Sequence, residues 1–356
     1  MLRFNPQTLK KLRRFREIRR GYYSFLILAG LLLVSLLGEL LVNNRAVVVS
    51  YQGELYFPTY GAFHPGSDFG FDYSYETSYR ELQRVLAADD DPDSWVIMPP
   101  VPYSPYENHT RSGAFKPEPP SAASKHYLGT DTTSRDILAR LFYGTRIALF
   151  FAIAFLVSVY VIGISIGCAM GYFGGVFDLL FQRIIEIWSN VPFLYIVIIV
   201  FSVTPATFSI PLRIAILLTV LVLFSWTGMT YYMRTETYKE KSRDYIAAAR
   251  TIGASNTRII FRHVLPNVLA TLVTFMPFTI VSAITSITAL DFLGFGLPPP
   301  TPSLGELLKQ GTASLRTAPW IVTSAFVTLV GLLTLVTFIG EAIRESFDPK
   351  KFTMYR

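Results

Sequence analysis

The apolar runs in this chain are too long for the core of a water-soluble domain. Residues 22–42, 147–170, 184–204, 210–232, 268–290 and 319–340 each come close to the roughly 20 residues that a helix needs to cross a bilayer. A soluble chain of 356 residues would ordinarily divide into two domains joined by a polar linker. Here 51% of the residues are hydrophobic, only 16% are charged, and the apolar ones gather into these runs. The expected fold is an all-α membrane protein with six transmembrane helices and a loop-rich extracytoplasmic insert between the first two.

Charge placement gives the expected orientation. Residues 1–21 carry eight Lys or Arg and one acid, Glu17, whereas residues 43–134 carry six basic and twelve acidic side chains. Basic residues are retained on the cytoplasmic side, so the N-terminus is expected inside and residues 43–146 outside. Alternation then puts 171–183, 233–267 and the C-terminus inside, and 205–209 and 291–318 outside. The loop 233–267 agrees independently, with seven basic residues against three acids. The first span lacks a small-residue cleavage site and reads as a retained anchor. The division is therefore a basic cytoplasmic segment (1–21), helix 1 (22–42), an insert (43–134), a core of helices 2–6 (135–340) and a cytoplasmic tail (341–356). A basic stretch beside a membrane entry suits anionic lipid headgroups rather than nucleic acid.

The insert begins with strand-like VVVSYQGELYFPTY (47–60) and an aromatic, Gly-rich tract (63–75). A helix is expected over 78–87, followed by the acidic cluster 89–93 and proline-rich runs. This pattern suits an ordered, loop-rich segment pinned by aromatics rather than built around a large core. The acidic cluster lacks the twelve-residue loop of a calcium site. His64, His109, His126 and His263 show no metal-ligand spacing, so no metal is expected.

Three enzyme or carrier signals fall short. Gly163-Ile-Ser165-Ile-Gly167 fits a nucleophile-elbow pattern, but that motif needs a strand–turn–helix and these residues lie mid-span. An intramembrane serine hydrolase centred on Ser165 would need a base at similar depth, and no span holds a histidine. Gly163, Gly167 and Gly171 recur every four residues, which suits close helix packing. No Gly-Lys dipeptide exists, so no phosphate-binding loop is present. The spans hold few ionisable groups beyond Glu39, Arg183 and Glu186, too few for the charge chain of a stand-alone proton-coupled carrier. The lone Cys168 reads as a small packing residue.

The loop DYIAAARTIGASNTRIIFRHVLPN (244–267) holds the remaining signal. Asp244 is expected to cap a short helix that ends at Gly253 in the C′ position. Ser255 or Asn256 can cap a second helix through Arg262, with Ile259, Ile260 and Val264 as its apolar side. Pro266 either stops that helix or opens the next span. Two short helices beneath the membrane could be a solvated loop or a docking knob.

This segment resembles the EAA loop of ABC importer permeases, with Ala247, Ala248, Ala249, Gly253, Leu265 and Pro266 in register. Ala247 replaces the glutamate of that pattern, and His263 stands where an aliphatic residue is usual. His126–Asp136 (HYLGTDTTSRD) resembles the LGTD…GRD signature of the peptide/nickel (DppC/OppC) class, with Ser134 in place of its glycine. Asp291–Pro298 (DFLGFGLP), PSLGELL (302–308) and GEAIRESFDPK near the C-terminus are similar to the same class. ELYFPTY, SDFG and LDFLGFGLP resemble its Yej-type branch, which is associated with uptake of microcin C.

The resemblance implies a heteromeric importer in the bacterial inner membrane. It would comprise this chain, a second homologous permease, one fused or two separate ATPase subunits and a periplasmic peptide-binding protein. Peptide would be the substrate, no cofactor would sit in this chain, and ATP and Mg would sit on the ATPases. The same resemblance makes 233–267 the coupling loop, in which Asp244, Ala247, Ala248, Ala249, Arg250, Gly253, His263, Leu265 and Pro266 would engage an ATPase. Gly129, Thr130, Asp131, Arg135 and Asp136 would form a periplasmic gate signature, and Asp291, Gly294, Gly296 and Pro298 a periplasmic loop.

Overall fold

The computed structural model describes residues 6–88, 93–109, 116–205 and 207–347. Asp89, Asp90 and Asp91 of the acidic cluster, Thr110, and the end of the C-terminal tail from Asp348 lie outside the described residues.

The chain opens with α1 (Pro6–Glu17), α2 (Arg19–Leu36) and the short α3 (Gly38–Leu41). The insert holds β1 (Val48–Tyr51), β2 (Glu54–Tyr56), α4 (Tyr79–Ala88) and β3 (Trp95–Ile97). The strands form one antiparallel sheet in the order β2-β1-β3, with Val49 opposite Tyr56 on one side and Val96 on the other. Gln52 and Gly53 both take positive φ, which lets a two-residue turn match the twist of the β1–β2 hairpin. Ala46, Val49, Phe69, Tyr79, Leu82, Leu86 and Val96 form a core between sheet and helix. The insert thus has a core of its own, and the aromatics add to it: Phe69 meets Tyr51 and Tyr56 edge-on.

The helical body follows as α5 (Ile137–Phe173), α6 (Gly175–Ser189), α7 (Phe193–Val203) and α8 (Ile210–Lys241). Next come α9 (Asp244–Thr251), α10 (Asn256–Arg258), a π-turn over Ile259–Val264, and α11 (Leu265–Leu272). The chain closes with α12 (Met276–Leu293), α13 (Leu304–Ala313) and α14 (Pro319–Phe347). Among the described residues, five helices are long and apolar enough to cross a membrane, or six if the bent pair α6–α7 counts as one span.

Besides the first span, which ends at Leu36 with the short α3 beyond it, three spans depart most from their expected outlines. The third is not one rod: α6 and α7 meet at 72° across Asn190–Pro192. Pro192 has no N–H to continue the ladder, and the residue before a proline is pushed out of the helical region. The expected inside loop 171–183 is mostly helix, since α5 reaches Phe173 and α6 starts at Gly175. The fifth span is interrupted between Leu272 and Met276, with Pro277 in the first turn of the new helix. The second starts ten residues early, at Ile137, because Asp136 caps it by accepting from the Ala139 N–H at 2.7 Å.

α5 packs along α8, α12 lies against α5, α13 and α14, and α2 pairs with α14. The α5–α8 contact is backbone-close. A Cβ at Gly163 would sit 2.7 Å from Met229, one at Gly167 would collide with the Thr230 carbonyl, and one at Gly171 would lie 2.6 Å from the Arg234 carbonyl. Without a water-driven force between helices in lipid, such close approach is what holds them. At one end of this body Arg146 pairs with Glu39 at 2.7 Å, and at the other Arg20 lies 3.4 Å from Glu341.

Candidate functional sites at the two ends of the helical body

At the end of α5 nearest the insert, two sequence stretches more than 150 residues apart form one buried ion network. The Asp131 carboxylate accepts from the Thr133 N–H and hydroxyl at 2.9 and 2.8 Å and from the Arg135 N–H at 3.0 Å. Its other oxygen meets Arg135 Nε at 2.9 Å and Arg140 Nε at 3.3 Å. Arg140 is fully buried and also pairs with Glu306, while donating to the carbonyls of Pro105 and Pro300 at 3.2 Å. Arg135 reaches Glu306 at 3.5 Å. Two guanidinium groups thus face two carboxylates, a balance without which burial of any one charge would be very unfavourable.

Neighbouring residues extend the network. Gln310 donates to Glu306 and accepts from Thr132 Oγ1 at 2.9 Å. Asp291, on α12, accepts from the Leu297 N–H at 2.7 Å and the Ser303 hydroxyl at 2.6 Å. Ser303 in turn caps α13 by accepting from the Glu306 N–H at 3.1 Å. A Cβ at Gly296 would land on the Asp291 carboxylate, and Gly294 ends α12 at φ +84. The Pro298 carbonyl accepts from the Thr301 N–H in the loop between α12 and α13. Gly129 takes φ +78, and a Cβ there would lie 2.6 Å from the Glu118 carbonyl and 2.8 Å from Trp320, whose indole donates to the Thr130 carbonyl. Asp136 holds His126 Nδ1 at 2.8 Å, and His126 stacks on Tyr103 at 4.0 Å. Ser134 takes φ +62, a conformation suited to glycine, and its hydroxyl exchanges hydrogen bonds with the Lys116 backbone at 3.0 and 3.1 Å.

At the opposite end of α5 the expected coupling segment is differently built. Asp244 is not the cap: it is the first helical residue of α9, and Arg243 occupies the cap position with no side-chain hydrogen bond. The carboxylate still lies in the first turn, where the helix dipole favours it. Ile246 and Ala249 are buried, while Ala247, Ala248 and Arg250 face outward. Gly253, at φ +82, closes the helix: its N–H donates to Arg250 O at 2.9 Å, and the Ala254 N–H to Ala249 O at 3.0 Å. Ile252 stands 85% exposed at the tip. Ser255 caps α10 by accepting from the Arg258 N–H.

Of the two expected roles, Pro266 takes the second: it lies in the first turn of α11. The wider π-turn over Ile259–Val264 runs directly into α11, and such a widening relaxes the close-packed turn in which a proline ring would meet the preceding carbonyls. Leu265 is half-buried beside it. His263 gives its carbonyl to Asn267 at 2.8 Å, and Asn267 also donates to Tyr245 Oη at 2.9 Å. Burial and a hydrogen bond to Glu240 push the Tyr245 phenol pKa up.

The side chain that ties this segment to α5 has no motif to mark it in the sequence. Tyr172 donates to Asn256 Oδ1 at 2.7 Å, and both Arg250 and Lys241 lie over its ring. Its only advance signal is its place next to the Gly174-Gly175 break. Tyr245, Ala248, Ile252, Arg258, Arg262 and His263 line an outward groove of about 650 Å³.

Ser165 has no catalytic company. Its hydroxyl donates to the Val161 carbonyl one turn back at 2.6 Å, and the groove that it shares with Tyr160, Cys168 and Phe261 is lined mostly by apolar side chains, with no carboxylate, histidine or lysine among them.

Residues 163–353 match the family described as "Binding-protein-dependent transport system inner membrane component". The chain is also 40% identical to the inner membrane ABC transporter permease protein YejE of Escherichia coli K12, covering 99% of both chains. It belongs to this permease family. The peptidoglycan transport system permease protein YejE of Agrobacterium fabrum is 36% identical, over 98% of this chain and 94% of its own. The dipeptide transport system permease protein DppC of Haemophilus influenzae is 34% identical, over 72% and 85%. The chain is accordingly a multi-pass inner-membrane ABC permease subunit, a transport component rather than an enzyme.

Proposed function

We propose that this permease forms half of the translocation pathway of an oligopeptide importer and is driven by ATPase subunits that grip residues 244–262. A homologous second permease would complete the pathway, and a periplasmic binding protein would deliver peptide to the face carrying 43–134 and 291–318. Both termini and the coupling segment would face the cytoplasm, a reading supported by the Lys and Arg excess in 1–21 and 233–267. Relatives named for dipeptide and oligopeptide transport support the cargo class, and the Yej-type resemblance adds peptide-nucleotides such as microcin C as candidates.

The observation that carries this reading is the form of α9. It shows small alanines and one arginine outward, is anchored inward by Ile246 and Ala249, and ends in an exposed isoleucine beside an open groove. Small side chains let a partner's groove approach the helix closely, and the basic rim of Arg250, Arg258 and Arg262 suits an acidic docking surface. With Ala247 in place of the usual glutamate, backbone shape and these arginines do the gripping. ATP and Mg would bind on the ATPases, whose closure would favour the outward-open state by binding it better than the inward-open one.

The test is Ala248→Trp, which places a bulky ring on the exposed face without touching the buried one. The expected result is loss of ATPase co-purification and of peptide uptake with normal insertion of the chain in the membrane. Unchanged co-purification would refute the docking site.

A further inference from the structure

The insert holds a small polar pocket that the transport role does not use. It lies where the chain leaves α3 and where α4 begins, and it has a volume of about 170 Å³. That is room for several waters or a ligand group of a few heavy atoms. Asn44, Arg45, Glu76, Tyr79, Arg80 and Glu107 line it. The two arginines are already engaged. Arg45 lies 2.6 Å from Glu76 and donates to the Pro58 carbonyl, while Arg80 pairs with Glu107, donates to the Pro102 carbonyl and sits over the Tyr103 ring.

Among the described residues, three buried oxygens here have no hydrogen-bond partner: Tyr79 Oη, Glu107 Oε2 and Glu76 Oε1, the last facing Arg45 without an aligned N–H. Tyr79 is 1% exposed. Burial and the Glu76 carboxylate push its pKa up to about 12, so it stays a neutral phenol at physiological pH. Leaving such groups unmatched is costly, and more so near charges.

What these atoms lack is a compact donor. An anion would face two carboxylates, and no group of three metal-ligating side chains exists among the described residues. An ammonium group brings three N–H donors on one atom to a pocket lined by residues whose oxygens are unmatched, and it adds the single positive charge that two neutral Arg–Glu pairs can host beside their carboxylates. We infer that this pocket is a binding site for a primary ammonium group, formed by Glu76, Tyr79 and Glu107.

Two sources carry that chemistry: a free small amine and the ethanolamine headgroup of a phospholipid. Asn44 is three residues beyond Leu41, the last residue of α3, so it lies within about 11 Å of the helix end even if fully extended. The pocket is therefore within reach of the headgroup layer. The inference holds whichever peptide the importer carries.

The experiment uses the full chain with its co-expressed subunits in phosphatidylcholine nanodiscs, titrated calorimetrically with ethanolamine and with choline, whose nitrogen has no N–H. Saturable ethanolamine binding is expected, with choline at least tenfold weaker. Tyr79→Phe and Glu107→Gln should each weaken ethanolamine by tenfold or more. Tyr79→Phe without amine should leave the unfolding temperature unchanged or higher, since it removes an unmatched hydroxyl, which separates lost binding from lost folding. Replacing part of the phosphatidylcholine by phosphatidylethanolamine should suppress ethanolamine binding if the source is lipid and leave it intact if the source is a free amine. No saturable binding of ethanolamine and no difference between wild type and Tyr79→Phe in either lipid would show that the pocket holds water only and overturn the inference.

Discussion

The two ends of α5 answer opposite structural demands. Near the insert, Asp131, Arg135, Arg140 and Glu306 are buried and matched to one another, so the stretches 126–140 and 291–310 hold as one piece. At the other end, α9 is held by buried Ile246 and Ala249, by Arg250 over the Tyr172 ring and by Tyr245 bonded to Glu240 and Asn267, and most of its surface faces outward. Satisfied charge makes the first end rigid, since no member can leave without stranding another. Sparse anchoring makes the second end able to shift as a unit when something grips it. In the proposed importer these are the fixed frame and the lever.

The sharpest way to break this contrast is Arg140→Ala. It strands Asp131 and Glu306 in a dry site and should cost about 3–5 kcal/mol. Thermal unfolding of the purified complex should register it as a large loss, whereas Arg250→Ala at the opposite end should barely move the same measurement. Gly167→Val comes next, because its side chain must displace the Thr230 carbonyl of α8. Overpacking of this kind costs about 1–3 kcal/mol, read as lower unfolding temperature and poorer membrane yield.

Ser134→Ala keeps the unfavourable φ and removes both hydrogen bonds to Lys116, for an expected loss of about 1–2 kcal/mol. Ser134→Gly gives up the same bonds but relieves the backbone, so it should lie closer to wild type in the same assay. The smallest effect belongs to the lever. Tyr172→Phe removes one hydrogen bond to Asn256, worth about 0.5–1.5 kcal/mol. Hydrogen exchange should quicken in 244–262 while the Asp131 network stays protected; equal change at both ends would dissolve the distinction.

Much of this could be read from the residues. Apolar length predicts the spans, and Gly253 and Ser255 mark the end of one short helix and the start of the next through their backbone preferences alone. The insert's strands and helix follow from alternation and turn residues. Other features had no local signal. Nothing near Asp131 announces that Glu306 completes its charge balance, because that pairing depends on how α5 and α13 meet. The break at Pro192 was hidden inside an apolar run, since prolines are common in membrane helices. Asp244 looked like a cap by residue type, but the helix begins one residue earlier than that assignment allows, and chain direction out of α8 decides it. The glycine replaced by Ser134 shows the converse: the resemblance marked the position, and the positive φ explains why glycine is favoured there.

The claim that force enters through α9 is tested most directly by single-cysteine cross-linking in the assembled importer, with buried Cys168 replaced by Ala. Ala248→Cys on the outward face of α9 should cross-link to an ATPase subunit, and Glu54→Cys on the exposed β2 strand should not. Absence of a cross-link at position 248, or equal cross-linking from both positions, would contradict the account.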